Sequence, residues 1–193
     1  MSLSKPVRRK HMHTREIQCM GYQREDGLWD IEGRMTDRKT YSFDNIDRGG
    51  VSAGEAAHEM LIRLTLNNDM VVMAAEAQTV SAPYHICCEA TDSFESLIGL
   101  KVGSGWRRAV VEAMGGIKGC THLRDLLMGP LAVTAFQTIY TLKQNKEKDS
   151  LGKKPALLDS CHAYRSGSHV AKKRWPELFQ DDGKDTSSTG SEN

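Results

Sequence analysis

The sequence lacks the features that place a protein in or on a membrane. None of its 193 residues belongs to an apolar run of the length that a membrane-spanning helix needs. Residues 1–11 are charged and contain no apolar segment, so they do not have the pattern of a secretory signal. The formal net charge is only +1, which gives no overall field to attract nucleic acid or a lipid surface. We therefore expect a cytoplasmic protein that binds no nucleic acid and no membrane, with a small-molecule ligand or substrate as its partner.

Several catalytic and nucleotide-binding motifs are also missing. The chain has no Cys-x-x-Cys pair, so any metal site must be assembled from residues that are distant in the sequence. It has no Gly-x-Ser-x-Gly elbow for a serine nucleophile. Residues 99–105 are rich in glycine but do not have the spacing of a phosphate-binding loop. These absences argue against P-loop, dinucleotide-binding and serine-hydrolase classes.

The chain does contain a set of thiols and imidazoles. The five cysteines are odd in number, and without an export signal we expect them to be reduced. They are Cys19, Cys87, Cys88, Cys120 and Cys161. Reduced thiols serve packing, metal binding or nucleophilic chemistry.

The first half of the chain predicts two antiparallel hairpins. Residues 28–35 alternate between apolar and polar types, which is typical of a half-buried strand. Its apolar face carries Trp29, Ile31, Gly33 and Met35. Residues 17–22 are interpreted as a preceding strand, residues 36–38 as a turn and residues 39–43 as a returning strand.

A second hairpin follows a glycine-rich loop. Residues 60–66 alternate again, with Met60, Ile62, Leu64 and Leu66 on one face. Residues 67–69 are Asn-Asn-Asp, which tolerate left-handed turn geometry, and residues 70–79 form the partner strand.

The second half of the chain has helical patterns. Residues 106–114 predict a helix that a pair of glycines ends. A longer helix is predicted from about Thr121 to about Gln144, and its apolar residues cover so wide an arc that it should be central. The Gly-Pro pair at 129–130 should bend it. Strands followed by helices predict an α+β fold with an antiparallel sheet.

Composition divides the chain into four parts. Residues 1–14 are predicted to be a disordered basic start, and residues 15–144 to be the α+β core domain. Residues 145–179 are interpreted as a linker followed by a segment that docks on the domain. Residues 180–193 are polar, with nothing to bury, and are predicted to be disordered.

The Gly-Cys-Thr-His segment at residues 119–122 is the first candidate site. It lies at the predicted start of the long helix, where free N–H groups and the helix dipole stabilise a thiolate. A thiol with a lowered pKa is a better nucleophile and a better metal ligand. We interpret Cys120 as nucleophile or ligand and His122 as a second ligand or proton carrier. The alternative is a buried cysteine beside an exposed histidine.

Cys87 and Cys88 form the second candidate site, between the second hairpin and the helices. Adjacent side chains do not usually point the same way, so one thiol is expected in the core and the other at the site. The junction of a sheet with a helix start suits a metal or an anion. His58, which precedes Glu59, is a candidate base or ligand. Packing of the cysteines and a surface ion pair of His58 are the alternatives.

Three aromatic residues are expected to form a substrate pocket beside the thiols. They are Trp29, Tyr84 and Trp106, and their rings would suit an aromatic or acyl substrate. The Cys161–His162 pair can complete a metal shell only if the C-terminal segment docks on the domain.

Several segments resemble a bacterial family that is known only as a domain of unknown function. The longest are DGLWDIEG at residues 26–33 and GCTHL at residues 119–123, with shorter ones at residues 21–22, 58–60 and 105–106. The resemblance covers roughly residues 10–180 and implies no particular activity.

A second resemblance concerns the order of the elements. This order, a hairpin followed by a cysteine loop and then by helices, is similar to that of the iron–sulfur scaffold proteins of the NifU/IscU type. That family has a loop Cys followed two residues later by an Asp, and Cys87 and Glu89 match this spacing. Cys120 and His122 stand where the family has a His-Cys pair leading into its last helix. The family's middle cysteine has no counterpart here, so the resemblance implies a scaffold-like fold more than cluster assembly.

Three functions follow as hypotheses. The first is a zinc- or iron-binding protein with ligands from Cys87, Cys88, Cys120 and His122, and with His58 as a further candidate. With an open coordination position it would be a small hydrolase or lyase on an aromatic or acyl substrate. The second is a metal-free enzyme with Cys120 or Cys88 as nucleophile and His122 or His58 as base. The third is a non-catalytic binding or accessory protein.

Overall fold

The computed structural model describes residues 3–140, 142, 155 and 157–181. The chain divides into two compact units, Met1–Lys146 and Glu147–Asn193. The first unit contains a sheet followed by helices, which confirms the predicted α+β class. Among the described residues, no helix has both the length and the apolar character of a membrane span.

The sheet is a four-stranded antiparallel meander with strand order β1-β2-β3-β4. The strands are β1 (His13–Gln23), β2 (Trp29–Lys39), β3 (Ala56–Leu66) and β4 (Val72–Ser81). Each strand after β1 pairs with the one before it in the sequence, so a β1–β2 hairpin and a β3–β4 hairpin lie side by side in one sheet.

The first hairpin extends further than the sequence pattern indicates. The predicted turn at residues 36–38 and the returning strand at residues 39–43 are wrong, because β2 continues to Lys39 and pairs with His13 at the start of β1. The turn lies instead at residues 24–28, where Gly27 adopts a φ of +83°. The polar residues at the end of β2 stay in the strand because β1 supplies backbone partners along their whole length.

The inner face of the sheet carries the apolar residues that alternation predicts. Trp29, Ile31 and Met35 on β2 are buried, as are Met60, Ile62, Leu64 and Leu66 on β3. Gly33 leaves room for a helix to approach, because a Cβ there would lie 3.1 Å from Leu131 Cδ2. The core of the first unit therefore lies between this face and the helices.

The helical half begins with a long 3-10 segment, His85–Leu97, followed by α1 (Trp106–Met114), whose bounds match the prediction. The central helix covers residues 121–140 without a break. It consists of α2 (Thr121–Leu126), a π-helical segment (Leu127–Leu131), α3 (Ala132–Ala135) and a second π-helical segment (Phe136–Tyr140). Pro130 lies inside the first π-helical segment, whose wider turn accommodates a residue without an N–H group. The predicted end at Gln144 lies outside the described residues.

The second unit is described for residue 155 and residues 157–181. It contains α4 (His169–Arg174), whose first turn is capped by Ser168, which accepts the Ala171 N–H at 3.0 Å. Most of the predicted linker and of the predicted polar tail lies outside the described residues.

Candidate functional site

The candidate site is built on a row of polar side chains at one end of the inner face of the sheet. Arg15 on β1 is the direct cross-strand partner of Asp37 on β2, and Asp37 is the partner of His58 on β3. All three continue the alternation that buries Met35 and Met60, so they point toward the helices. The β2–β3 register shifts immediately after Asp37, a bulge of the kind that redirects side chains at functional sites.

Asp37 is the centre of this row, and it is only 3% exposed. Arg15 donates two hydrogen bonds of 2.7 Å, from Nε to Oδ1 and from its terminal nitrogen to Oδ2. His13 Nε2 lies 3.1 Å from Oδ1. Burial raises the pKa of Asp37, but the hydrogen bond and the charge of Arg15 outweigh it, so the pKa is lowered. Asp37 is therefore an ionised carboxylate held in a fixed orientation.

Two imidazoles approach the other side of the same carboxylate. His58 Nδ1 lies 3.3 Å from Asp37 Oδ2, and His122 Nε2 lies 3.7 Å from the same oxygen. The two rings are stacked, with centroids 3.9 Å apart and an interplanar angle of 30°. Burial, and then the nearby His122, lower the pKa of His58 to about 4. The His58 ring is therefore neutral at pH 7, the form in which an imidazole binds a metal.

Asp37, His58 and His122 can hold a metal ion. Their ligand atoms all lie within 4.8 Å of one another. Metal bonds of 2.0–2.1 Å in a tetrahedral site place neighbouring ligand atoms roughly 3.3 Å apart. The observed separations of 3.3 Å and 3.7 Å from Asp37 Oδ2 are close to that value. Two imidazoles and one carboxylate are also a common ligand set for zinc and iron.

Cys120 lies next to this group at the start of the central helix. It is the N-cap of α2, with extended backbone, and its Sγ lies 3.8 Å from His122 Nδ1 and 4.0 Å from Met60 Sδ. Burial raises the pKa of the Cys120 thiol, but the hydrogen bond from His122 and the helix N–H groups outweigh it and lower the pKa. His122 therefore has one ring nitrogen toward a thiol and the other toward a carboxylate.

His58, Cys120 and His122 open into a cleft of about 530 Å³. His58, Met60, Cys120 and His122 are part of its lining, together with residues from two segments, 83–90 and 117–121. Cys87 is also part of the lining, and burial raises the pKa of its thiol. Cys88 is exposed and does not line the cleft, so of the adjacent pair Cys87 faces the site.

The structure brings together only part of the predicted site. His58, Cys120 and His122 are neighbours, and Cys87 lines the same cleft. The cysteines do not belong to the Asp/His/His group, whose third member is Asp37.

The three predicted pocket rings are not brought together in the cleft. Tyr84 lines it, whereas Trp29 and Trp106 do not. Trp29 is a core residue whose Nε1 donates to Asn68 Oδ1 at 3.0 Å. Trp106 is also in the core, with its Nε1 donating to the Leu127 carbonyl at 3.0 Å. In the second unit, Cys161 is exposed.

Sequence reasoning missed Asp37, His13 and Arg15. Asp37 continues the odd-numbered alternation that starts at Trp29, and this was the signal that could have found it. His13 and Arg15 alternate in the same way at the start of β1, and the predicted disorder of residues 1–14 is wrong for the first two residues of this strand.

The fold and the site together define an α+β protein with an Asp/His/His group at the end of its sheet. The chain belongs to the family described as protein of unknown function DUF2889, whose model matches residues 13–137. The match begins at β1 and ends within the central helix. It therefore includes Asp37, His58 and His122, and the family assignment covers the candidate site. Searches of curated proteins and of solved structures gave no match.

Proposed function

We propose that this protein binds one zinc or iron(II) ion through Asp37, His58 and His122 and acts as a small hydrolase or lyase. The observation that carries this proposal is the convergence of three ligand atoms, from two strands and a helix, within 4.8 Å. His58 and His122 also line the cleft, so a substrate in the cleft can reach an ion held between them. The reduced thiols around the site suit a cytoplasmic protein.

The chain's own residues have separate roles in this proposal. Asp37 supplies negative charge, and Arg15 fixes its orientation through two hydrogen bonds. The neutral ring of His58 supplies a nitrogen lone pair. A bound ion would polarise a carbonyl group or lower the pKa of a water molecule. Cys120, on the other side of His122, is placed to exchange a proton with a leaving group in the cleft.

Metal analysis tests the proposal. The protein is purified without a histidine tag, and zinc and iron are measured by elemental analysis and by calorimetric titration of the metal-free form. We expect one ion per chain, and we expect it to be lost in His58→Gln and His122→Gln. The control is His85→Gln, because His85 is exposed on the 3-10 segment and is not in the group. Equal metal content in all four proteins, or none in any, would overturn the proposal.

A second candidate function is a metal-free thiol enzyme, and one observation favours it. Cys120 Sγ, His122 and Asp37 form a series in which His122 lies 3.8 Å from the thiol and 3.7 Å from the carboxylate. This is the order of groups in a nucleophile, base and orienting acid. The same purified protein distinguishes the two candidates. If metal-free protein forms a covalent adduct at Cys120 with a substrate analogue, and added zinc neither binds nor changes the reaction, the thiol enzyme is the better assignment.

A further inference from the structure

Three large apolar side chains in the lining of the cleft are exposed. Tyr84 is 49% exposed, Ile86 is 67% exposed and Ile117 is fully exposed. Single exposed apolar residues are ordinary on a protein surface, but several around one cleft are typical of ligand sites. Here they surround a cleft that also contains His58 and His122.

The segment that carries Ile117 is a tight turn that requires glycine. A Cβ on Gly115 would lie 2.3 Å from the Val111 carbonyl oxygen, and a Cβ on Gly119 would lie 2.7 Å from the Met114 carbonyl oxygen. Only Ile117 and Lys118 therefore carry side chains in the Gly-Gly-Ile-Lys-Gly turn, and both line the cleft. The backbone of this turn thus holds Ile117 at the cleft, where its side chain is exposed and does not pack in the core.

The charges around the cleft do not select a strongly ionic ligand. Lys118 and Glu89 are the charged residues of its lining apart from the histidines, and they are opposite in sign. Its volume of about 530 Å³ is within the range of clefts that bind small molecules. The apolar lining suits an apolar chain or ring, and the chemistry proposed for the Asp/His/His group acts on a carbonyl group. A small molecule that contains both fits the cleft.

We infer that the cleft takes esters or thioesters whose acyl group carries an apolar chain or ring, which lies against Tyr84, Ile86 and Ile117. The reaction part of this inference rests on the proposed function. In hydrolysis a water oxygen forms the new bond to the acyl carbon, the carbon–oxygen or carbon–sulfur bond breaks, and the leaving group takes a proton. No oxidant, reductant or second cofactor is needed.

Two hydroxamates that differ only in chain length test the inference. Acetohydroxamate and octanohydroxamate are titrated by calorimetry into zinc-loaded and into metal-free protein. We expect octanohydroxamate to bind at least about tenfold more tightly in both forms, because its extra methylene groups leave water. The gain should disappear in Ile117→Ser and Ile86→Ser. It should persist in Ile98→Ser, a matched control that is 51% exposed and does not line the cleft.

The outcomes separate this inference from the proposed function. If zinc does not bind but the chain-length gain and its loss in Ile117→Ser remain, the proposed function fails and the acyl specificity stands. If zinc binds and the two hydroxamates have equal affinity, the specificity is overturned and the metal site stands. The acyl specificity is also overturned if Ile98→Ser abolishes the gain in affinity with chain length as fully as Ile117→Ser does. The same holds if neither hydroxamate binds.

Discussion

His122 Nε2 lies 3.7 Å from Asp37 Oδ2, although the two residues belong to the helical half and to the second strand. The contact joins the start of the central helix to the inner face of the sheet. His58 lies against both residues, 3.3 Å from the carboxylate and stacked on the His122 ring.

Asp37→Asn should weaken zinc binding by at least about 100-fold, because it removes the anionic ligand while keeping its shape. It should also destabilise the protein by roughly 1–3 kcal/mol, because the charge-assisted hydrogen bonds from Arg15 become neutral ones. Calorimetric titration and denaturant unfolding measure the two effects. Asp44→Asn, at an exposed carboxylate outside the group, should change neither. Unchanged zinc affinity in Asp37→Asn would remove this residue from the ligand set.

Arg15→Gln should lower the zinc affinity by about 10- to 100-fold, although Arg15 is not a ligand. Its two hydrogen bonds orient the Asp37 carboxylate, and a single amide cannot reproduce them. Arg15→Lys should recover part of the affinity, because it keeps the charge but loses the paired geometry. Arg34→Gln is the control, since Arg34 is on the same sheet and pairs with Glu59 outside the group. A purely structural role of Arg15 would lower the melting temperature and leave the zinc affinity of the folded protein unchanged.

The metal-free protein should lose stability as the pH falls from about 7 to 4. The pKa of His58 is lowered from 6.5 to about 4, so in this range the unfolded chain binds a proton that the folded chain does not. Stability therefore rises with pH across the interval, by at most about 1.4 kcal/mol per pH unit for one proton. The pKa of Asp37 is also lowered, so protonation of this carboxylate removes further stability at the acid end of the pH range. Melting temperatures at several pH values should show a shallower slope for His58→Asn than for the unmodified protein. Parallel slopes would contradict this assignment.

Cys120 and Cys87 should differ in reactivity although both line the cleft. Burial raises the pKa of Cys120, but the hydrogen bond from His122 and the helix N–H groups together lower it, whereas burial raises the pKa of Cys87 without such compensation. In variants that keep only one of the two thiols, the rate of iodoacetamide labelling against pH should have its midpoint at lower pH for Cys120. His122→Gln should move the Cys120 midpoint upward and leave the Cys87 midpoint in place. Coincident profiles would show that His122 does not activate the thiol.

Alternation predicted the inner face of the sheet because one face of each strand is buried. Trp29, Ile31 and Met35 on β2 follow from period-two spacing alone. The bounds of α1 follow from its apolar spacing and from the glycines after it. These features depend on local sequence, and the structure has them where the pattern puts them.

The candidate site was only partly predictable, because its central residue is polar where the pattern expects an apolar one. Asp37 stands in the run Thr36-Asp37-Arg38-Lys39, which is typical of a turn, and only pairing with β1 keeps it in the strand. Its burial depends on Arg15, which local sequence does not connect to it. Cys120 and His122 were predictable because a helix start is a local signal, but the position of His122 over Asp37 depends on tertiary packing.

The ligand set is divided between the sheet, which supplies Asp37 and His58, and the central helix, which supplies His122. An ion bound to all three would act as a crosslink between the two layers, and an unfolded chain would not hold these ligands together. Binding free energy would then appear as folding stability that grows with the logarithm of the free metal concentration. The melting temperature of this protein would accordingly report how much metal its surroundings make available.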